Sequence, residues 1–228
     1  MIEVSQAIPY RGIRKSIGKR MEISGAYPMT YQGMYVDVTE LLAYRKQVNA
    51  KKGVSLTVND FIVKAVSLAL QRTPIMNSAF NEDMSQILVY SNYNISVMTA
   101  SDKGLVAPVI KESEKKSIYQ ISEEMKALVE KANAGKLMPE DYAGGTFGKL
   151  NSFDSVPLPQ PPQPAIMAAC TAKKMAVVVE GENGEDVIVP RVMMKLVIGG
   201  DHRILDGVPL ASFLNDMKKL LEDPHSLT

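Results

Sequence analysis

The sequence is poor in the residues that build most metal and nucleophile centres. Among 228 residues there is one cysteine, Cys170, which excludes an intrachain disulfide and a cysteine-based metal cluster and fits a reducing compartment. The two histidines, His202 and His225, are not at metal-binding spacing, and neither a Gly-x-Ser-x-Gly elbow nor a phosphate-cradling glycine loop is present. A zinc or serine hydrolase therefore lacks its parts, and no metal is expected. Charge of one sign is also missing. Lys and Arg total 26 against 25 Asp and Glu, so no global field exists to grip nucleic acid or anionic lipid. No segment approaches the roughly 20 apolar residues that cross a bilayer, and "MIEVSQAIPYRG" has neither a basic leader nor an apolar run. These absences predict a soluble, cytoplasmic protein with no membrane partner, or a mitochondrial-matrix one if a targeting segment has been removed. Tryptophan is absent too, and the 14 methionines are assigned to the core.

What is present is enough apolar sequence, 46%, to bury a substantial core in one large or two small domains. "GIRKSIGKRMEIS" spaces Ile13, Ile17 and Met21 four apart, which predicts a short amphipathic helix ended by Gly25 and Pro28. "MTYQGMYVDV" reads as a strand, with Thr39 as the cap of a following helix. Thr57 and Asp60 form a capping-box-like start to "TVNDFIVKAVSLALQRT", an apolar and therefore central helix closed by Pro74. "YNISVMTA" and "GLVAPVI" flank the turn "SDKG" as a hairpin, and Ile118, Ile121, Met125, Leu128, Val129 and Ala132 give a helical period stopped by Gly135. "VPLPQPPQP" is barred from a central strand or helix because its prolines lack amide donors, leaving a rigid surface connection or a linker. Beyond it, "AIMAACTAKKMAVVVEG" and "EDVIVPRVMMKLVIGG" predict a hairpin of long strands, and Leu210, Phe213, Leu214, Met217, Leu220 and Leu221 lie on one side of a last helix. Those strands need a helix layer over them. One α+β domain is expected, spanning residues 1–228, with helices packed on a mixed β-sheet.

The stretch "DHRILDG", Asp201 to Gly207, follows directly from the last strand. There a histidine can project into a cleft while the scaffold holds it still, and an imidazole exchanges protons near neutral pH. Asp206 is expected to fix the turn by accepting from backbone amides or an arginine, and Gly207 to allow a close backbone approach. By spacing alone a core histidine with an ordinary helix cap remains open. His225, in "EDPHSLT", reads as surface in a frayed tail.

Taken together, "IPYRGIRKSIGKRM", "YVDVTELL", "LTVNDFIVKAVSLAL" with "PIMNSAF", "NISVMTASDKGLVAPVI", "KLMPEDYAGGTF", "PPQPAI" and "GGDHRILDG" resemble the catalytic core of the dihydrolipoamide acyltransferases, from about Ile8 to Pro224. The resemblance implies a chloramphenicol acetyltransferase-like, trimer-forming fold at the core of a 2-oxo acid dehydrogenase complex. It implies acyl transfer between dihydrolipoamide and coenzyme A, with His202 as general base on the thiol and Asp206 as organiser. Arg203 and Gly207 complete the motif, and Arg14 or Arg20 is the suggested partner of Asp206. Also implied are a homotrimer built into a larger cage, active sites in channels between subunits, and a lipoyl group carried on another domain or protein. Dehydrogenase-complex subunits are the other expected partners. The chain is expected to hold neither a lipoyl domain nor a peripheral subunit-binding domain.

One departure stands out. Relatives read Gly-Gly-Thr-Phe-Thr-x-Ser-Asn where this chain reads "GGTFGKLN", so Gly148 replaces the second threonine and Leu150 the serine that donates to the oxyanion. Ser152, two residues on, shares the same strand face and is the candidate substitute. A structural core protein of the same fold with weak or altered catalysis is therefore the alternative reading. A drug acetylase of the chloramphenicol type shares the His-x-x-x-Asp-Gly arrangement but fits the other motifs less well.

Overall fold

The computed structural model describes residues 3–101 and 104–228. An exposed arm leads into α1 (Ile13–Gly25), followed by β1 (Met29–Asp37), α2 (Thr39–Lys52) and α3 (Val58–Arg72). A small hairpin, β2 (Ser78–Phe80) with β3 (Ile87–Val89), precedes β4 (Ile95–Val97), β5 (Thr99–Ser101), β6 (Gly104–Val106) and β7 (Val109–Ile110). Then come α4 (Ile118–Asn133), the single turn α5 (Pro139–Tyr142), β8 (Phe147–Ser152), β9 (Ala165–Cys170), β10 (Lys173–Glu180), β11 (Asp186–Asp201) and α6 (Gly207–Glu222).

The main sheet has the order β1-β11-β9-β8-β4-β7, with β10 attached to β11. β8 runs parallel to both β4 and β9 and the other pairs are antiparallel, so the sheet is mixed, as expected. Its inward residues, such as Val36, Phe147, Met167 and Leu196, join Phe61 and Leu70 of α3, Ile121 of α4 and Phe213 of α6 in one hydrophobic cluster. The α+β reading therefore holds. Helix α3 is central because nine of its fifteen residues are buried, and its start carries the complete box of Thr57 and Asp60. Ser117 and Gln120 make a second box at the head of α4.

Several local expectations change. Thr39 is the first residue of α2 rather than its cap: its N–H donates to Asp37 Oδ1 at 2.9 Å, and its hydroxyl accepts from Val192 N at 2.9 Å. The run after the prolines is not one strand. It breaks at Thr171–Ala172 into β9, inside the main sheet, and β10, which pairs only with the amino-terminal half of β11. That half forms a ribbon whose Met175, Val178, Val187 and Ile188 are exposed. The hairpin around "SDKG" is present as β5 and β6, with β4 and β7 pairing behind it, while Asp102 and Lys103 of its turn lie outside the described residues.

The proline segment is a rigid connection. Pro159 O accepts from Ser24 Oγ at 2.7 Å, and Pro157 O packs so closely on Gly199 that a Cβ there would come within 2.6 Å. The tail is not frayed either, since Pro224 and Leu227 are buried and the His225 ring meets Tyr44 edge-on at 4.4 Å. Helix α1 keeps Ile17 exposed and Met21 half-buried, so its apolar stripe is uncovered in the single chain; the Ile13 side chain lies outside the description. No helix among the described residues is long and apolar enough to cross a membrane.

Candidate active site

Strand β11 delivers Asp201 at its last position, and the chain then turns through His202 and Arg203 into α6. The turn is fixed at the backbone. Asp201 N donates to Pro164 O at 2.8 Å, His202 N to Pro28 O at 2.7 Å, and Leu205 N to Asp201 O at 2.9 Å. Its side chains lock it again. The buried Asp201 carboxylate accepts from Arg203 Nε at 2.9 Å, from Nη2 at 2.7 Å and from the Arg203 backbone N–H at 3.1 Å. The guanidinium lies over the rings of Tyr27 at 4.2 Å and Phe80 at 5.4 Å, and the Asp201 carboxylate holds its pKa above the ordinary arginine value. A planar, five-donor group matches a carboxylate and two ring faces at once, which a lysine does not.

On this frame His202 projects outward with 49% of its side chain exposed. Its Nδ1 faces Asp206 Oδ1 at 3.6 Å, which is proximity rather than a hydrogen bond, and Nε2 is the nitrogen left to meet an incoming group. Asp206 departs from expectation. It stands at the N-cap of α6 but makes no side-chain cap bond, its side chain is 86% exposed, and no arginine pairs with it among the described residues. Arg14 and Arg20 are exposed on α1. The arginine that stabilises the loop is Arg203, acting through Asp201. Gly207 is where expected: Gln32 Nε2 donates to its carbonyl at 2.9 Å and would sit 3.2 Å from an added Cβ.

Strand β8 holds the other candidates. Leu150 packs with Ala168, Cys170 and Val197 on the sheet face away from the main core. Ser152 pairs with Cys170, and its carbonyl accepts from Thr171 N at 2.8 Å. The structure does not bring this strand to His202 within one chain. Leu150 is level with Ala168 and Ala168 with Val197, five residues before His202, which separates the two positions by roughly 15–20 Å.

Two residues escaped the reading of the sequence. Asp201 did so although its Asp-x-Arg spacing suits a bidentate pair. Lys149, fully buried, did so because charge is ordinarily assigned to solvent; its alternation with Phe147 on β8 was the available signal. Burial lowers its pKa to about 7, and Asp60 opposes that fall.

Comparison with known proteins agrees with this architecture. The family model described as 2-oxoacid dehydrogenases acyltransferase (catalytic domain) matches residues 3–228. The chain is 36% identical to the dihydrolipoyllysine-residue acetyltransferase component of the pyruvate dehydrogenase complex of Rickettsia conorii, over 97% of this chain and 55% of that relative. It thus spans about half the length of the curated relatives it matches. Among solved structures, a probable dihydrolipoamide acetyltransferase from Listeria monocytogenes superposes with a TM-score of 0.88 at 35% identity, covering 98% of this chain and 99% of that one. The cubic core of a pyruvate dehydrogenase multienzyme complex matches with a TM-score of 0.88 at 27% identity, covering 99% and 94%. A chloramphenicol acetyltransferase, 14% identical with a TM-score of 0.54, shares the fold alone. On its match across residues 3–228, the chain belongs to the family of 2-oxoacid dehydrogenase acyltransferase catalytic domains.

Proposed function

We propose that this chain is a single catalytic core domain that moves an acyl group between dihydrolipoamide and coenzyme A, with His202 as the general base. The observation that carries the reading is the outward-facing imidazole on a turn held by three backbone bonds and the Asp201–Arg203 pair. Thiolate is the attacking form, and a thiol of pKa near 8.5 is mostly protonated at neutral pH. His202 Nε2 takes the thiol proton of coenzyme A as the sulfur attacks the thioester carbonyl. The carbon–sulfur bond to dihydrolipoamide then breaks, and the proton passes from His202 to the departing sulfur. Asp206, at 3.6 Å from Nδ1, supports the protonated ring electrostatically rather than relaying a proton.

The separation between His202 and β8 is the reason to complete the site from a second copy. A trimer in which one copy's His202 faces another's β8 would do so, and the uncovered ribbon of β10 and β11, with the bare stripe of α1, supplies apolar surface for such contacts. A cage of trimers, a lipoyl group presented by another domain or protein, and dehydrogenase-complex partners follow from the same reading. A reducing compartment, the cytoplasm or a mitochondrial matrix, suits the single free Cys170.

Steady-state transfer of acetyl between acetyl-coenzyme A and dihydrolipoamide, set beside particle mass, tests the proposal. Large particles with negligible transfer would favour the scaffold alternative, whose support is Leu150 at the oxyanion position. Transfer abolished by His202→Ala in intact particles is the expected result.

A further inference from the structure

A hollow of about 520 Å³ opens on the helix side of the sheet, between the first turn of α3 and the ends of β8 and β9. Cys170, which packs with Leu150 on the other face of the sheet, also lines it at the strand end. Beneath it Lys149 donates to Asn59 Oδ1 and, at 2.6 Å, to Asn151 Oδ1. An ammonium has three donors and no acceptor, so both asparagines must turn their oxygens to it and their amino ends away. Both asparagines line the hollow, and no protein acceptor meets either Nδ2 among the described residues. The ammonium itself makes no ion pair among those residues. The Asp60 carboxylate, the charged group acting on it, accepts from Thr57 N at 2.7 Å.

The result is a floor of N–H donors with one buried cation behind it. Around this floor the walls are mostly apolar, with Val58, Ile62, Phe153, Ala169 and Met194, and Ser152 and Thr171 also line the hollow. Such a combination suits a single negative charge on a small planar group with a hydrocarbon tail. Phosphate, even as a monoanion, has no hydrocarbon tail to cover the apolar part of the wall and more polar oxygens than the two asparagines can satisfy. We propose that this hollow binds a short-chain monocarboxylate, whose oxygens accept from Asn59 and Asn151 while its tail lies against Val58, Ile62 and Met194.

Calorimetric titration of the assembled protein in mildly acidic buffer, with isovalerate, acetate and inorganic phosphate in turn, tests this without depending on acyl transfer. Saturable binding of isovalerate, weaker binding of acetate and none of phosphate is expected. Asn151→Asp places a carboxylate on the ammonium and turns an acceptor toward the hollow, so isovalerate affinity falls at least tenfold; Lys149→Met gives a similar loss. If Lys149→Met fails to fold, Asn151→Asp decides. The proposal is overturned if the unaltered protein shows no saturable isovalerate binding, if phosphate binds equally well, or if folded Asn151→Asp binds isovalerate as the unaltered protein does.

Discussion

The end of β11 and the middle of β8 are both parts of the main sheet, yet they treat their polar residues in opposite ways. At the end of β11, the charge-bearing Asp201 and Arg203 are spent on each other and on two aromatic rings, and His202 is left outward-facing with no strong partner. In β8, the polar Lys149 is driven inward while Leu150 and Gly148 face the side where the resemblance places an oxyanion donor. One region therefore has an imidazole on a rigid mount. The other presents Leu150 on one face and holds a buried lysine, Lys149, on the opposite one. The lesson is that a reactive group is freed when the charges around it are already satisfied.

Breaking the first region should give the largest effect. His202→Ala is expected to lower acetyl transfer about a thousandfold or more, within the range for general bases, while thermal unfolding stays unchanged because the ring is half exposed. Unaltered turnover would remove His202 from the chemistry. Next comes the mount. Arg203→Met strands the buried Asp201 carboxylate and should cost on the order of 2–3 kcal/mol in chemical denaturation, below the figure for a fully buried pair because the guanidinium is partly exposed. Arg203→Lys should recover little of it, since an ammonium lacks the fork.

Repairing the second region sharpens the comparison from the other side. Leu150→Ser should raise turnover about tenfold, part of the hundredfold or more that an oxyanion donor typically supplies. No gain there, with a large loss in Ser152→Ala, would locate the donor at Ser152.

The smallest effect concerns Lys149. Its folded pKa, about 7, lies below the ordinary 10.5, so the unfolded chain binds the extra proton between those values. Stability should accordingly rise with pH across that window, and the penalty is complete below it. Lys149→Met is expected to stabilise the fold by about 1–2 kcal/mol below pH 7, with the gain shrinking as pH rises, as followed by thermal melts in a buffer series.

Legibility differed in the same way between the two regions. The capping boxes at Thr57 and Ser117, the periodic faces of α4 and α6 and the strand feeding "DHRILDG" depend on short-range bonding and alternation, which the order of residues states directly. The break between β9 and β10 depends on which strand each half pairs with, and nothing within the run itself says so. Arg203 rather than Arg14 or Arg20 steadies the loop because Asp201, not Asp206, is the buried carboxylate, and burial is a property of the whole packing.

By itself, then, the sequence determined the α+β class, the long helices with the capped start of α3, and the histidine at a strand exit, because each follows from local hydrogen bonding and hydrophobic period. Tertiary structure alone decided that Asp206 is solvent-facing, that Lys149 is buried under two asparagines, and that His202 and Leu150 stand far apart in one chain. Those outcomes are set by which distant segments meet, and the solvation of every charge depends on that meeting.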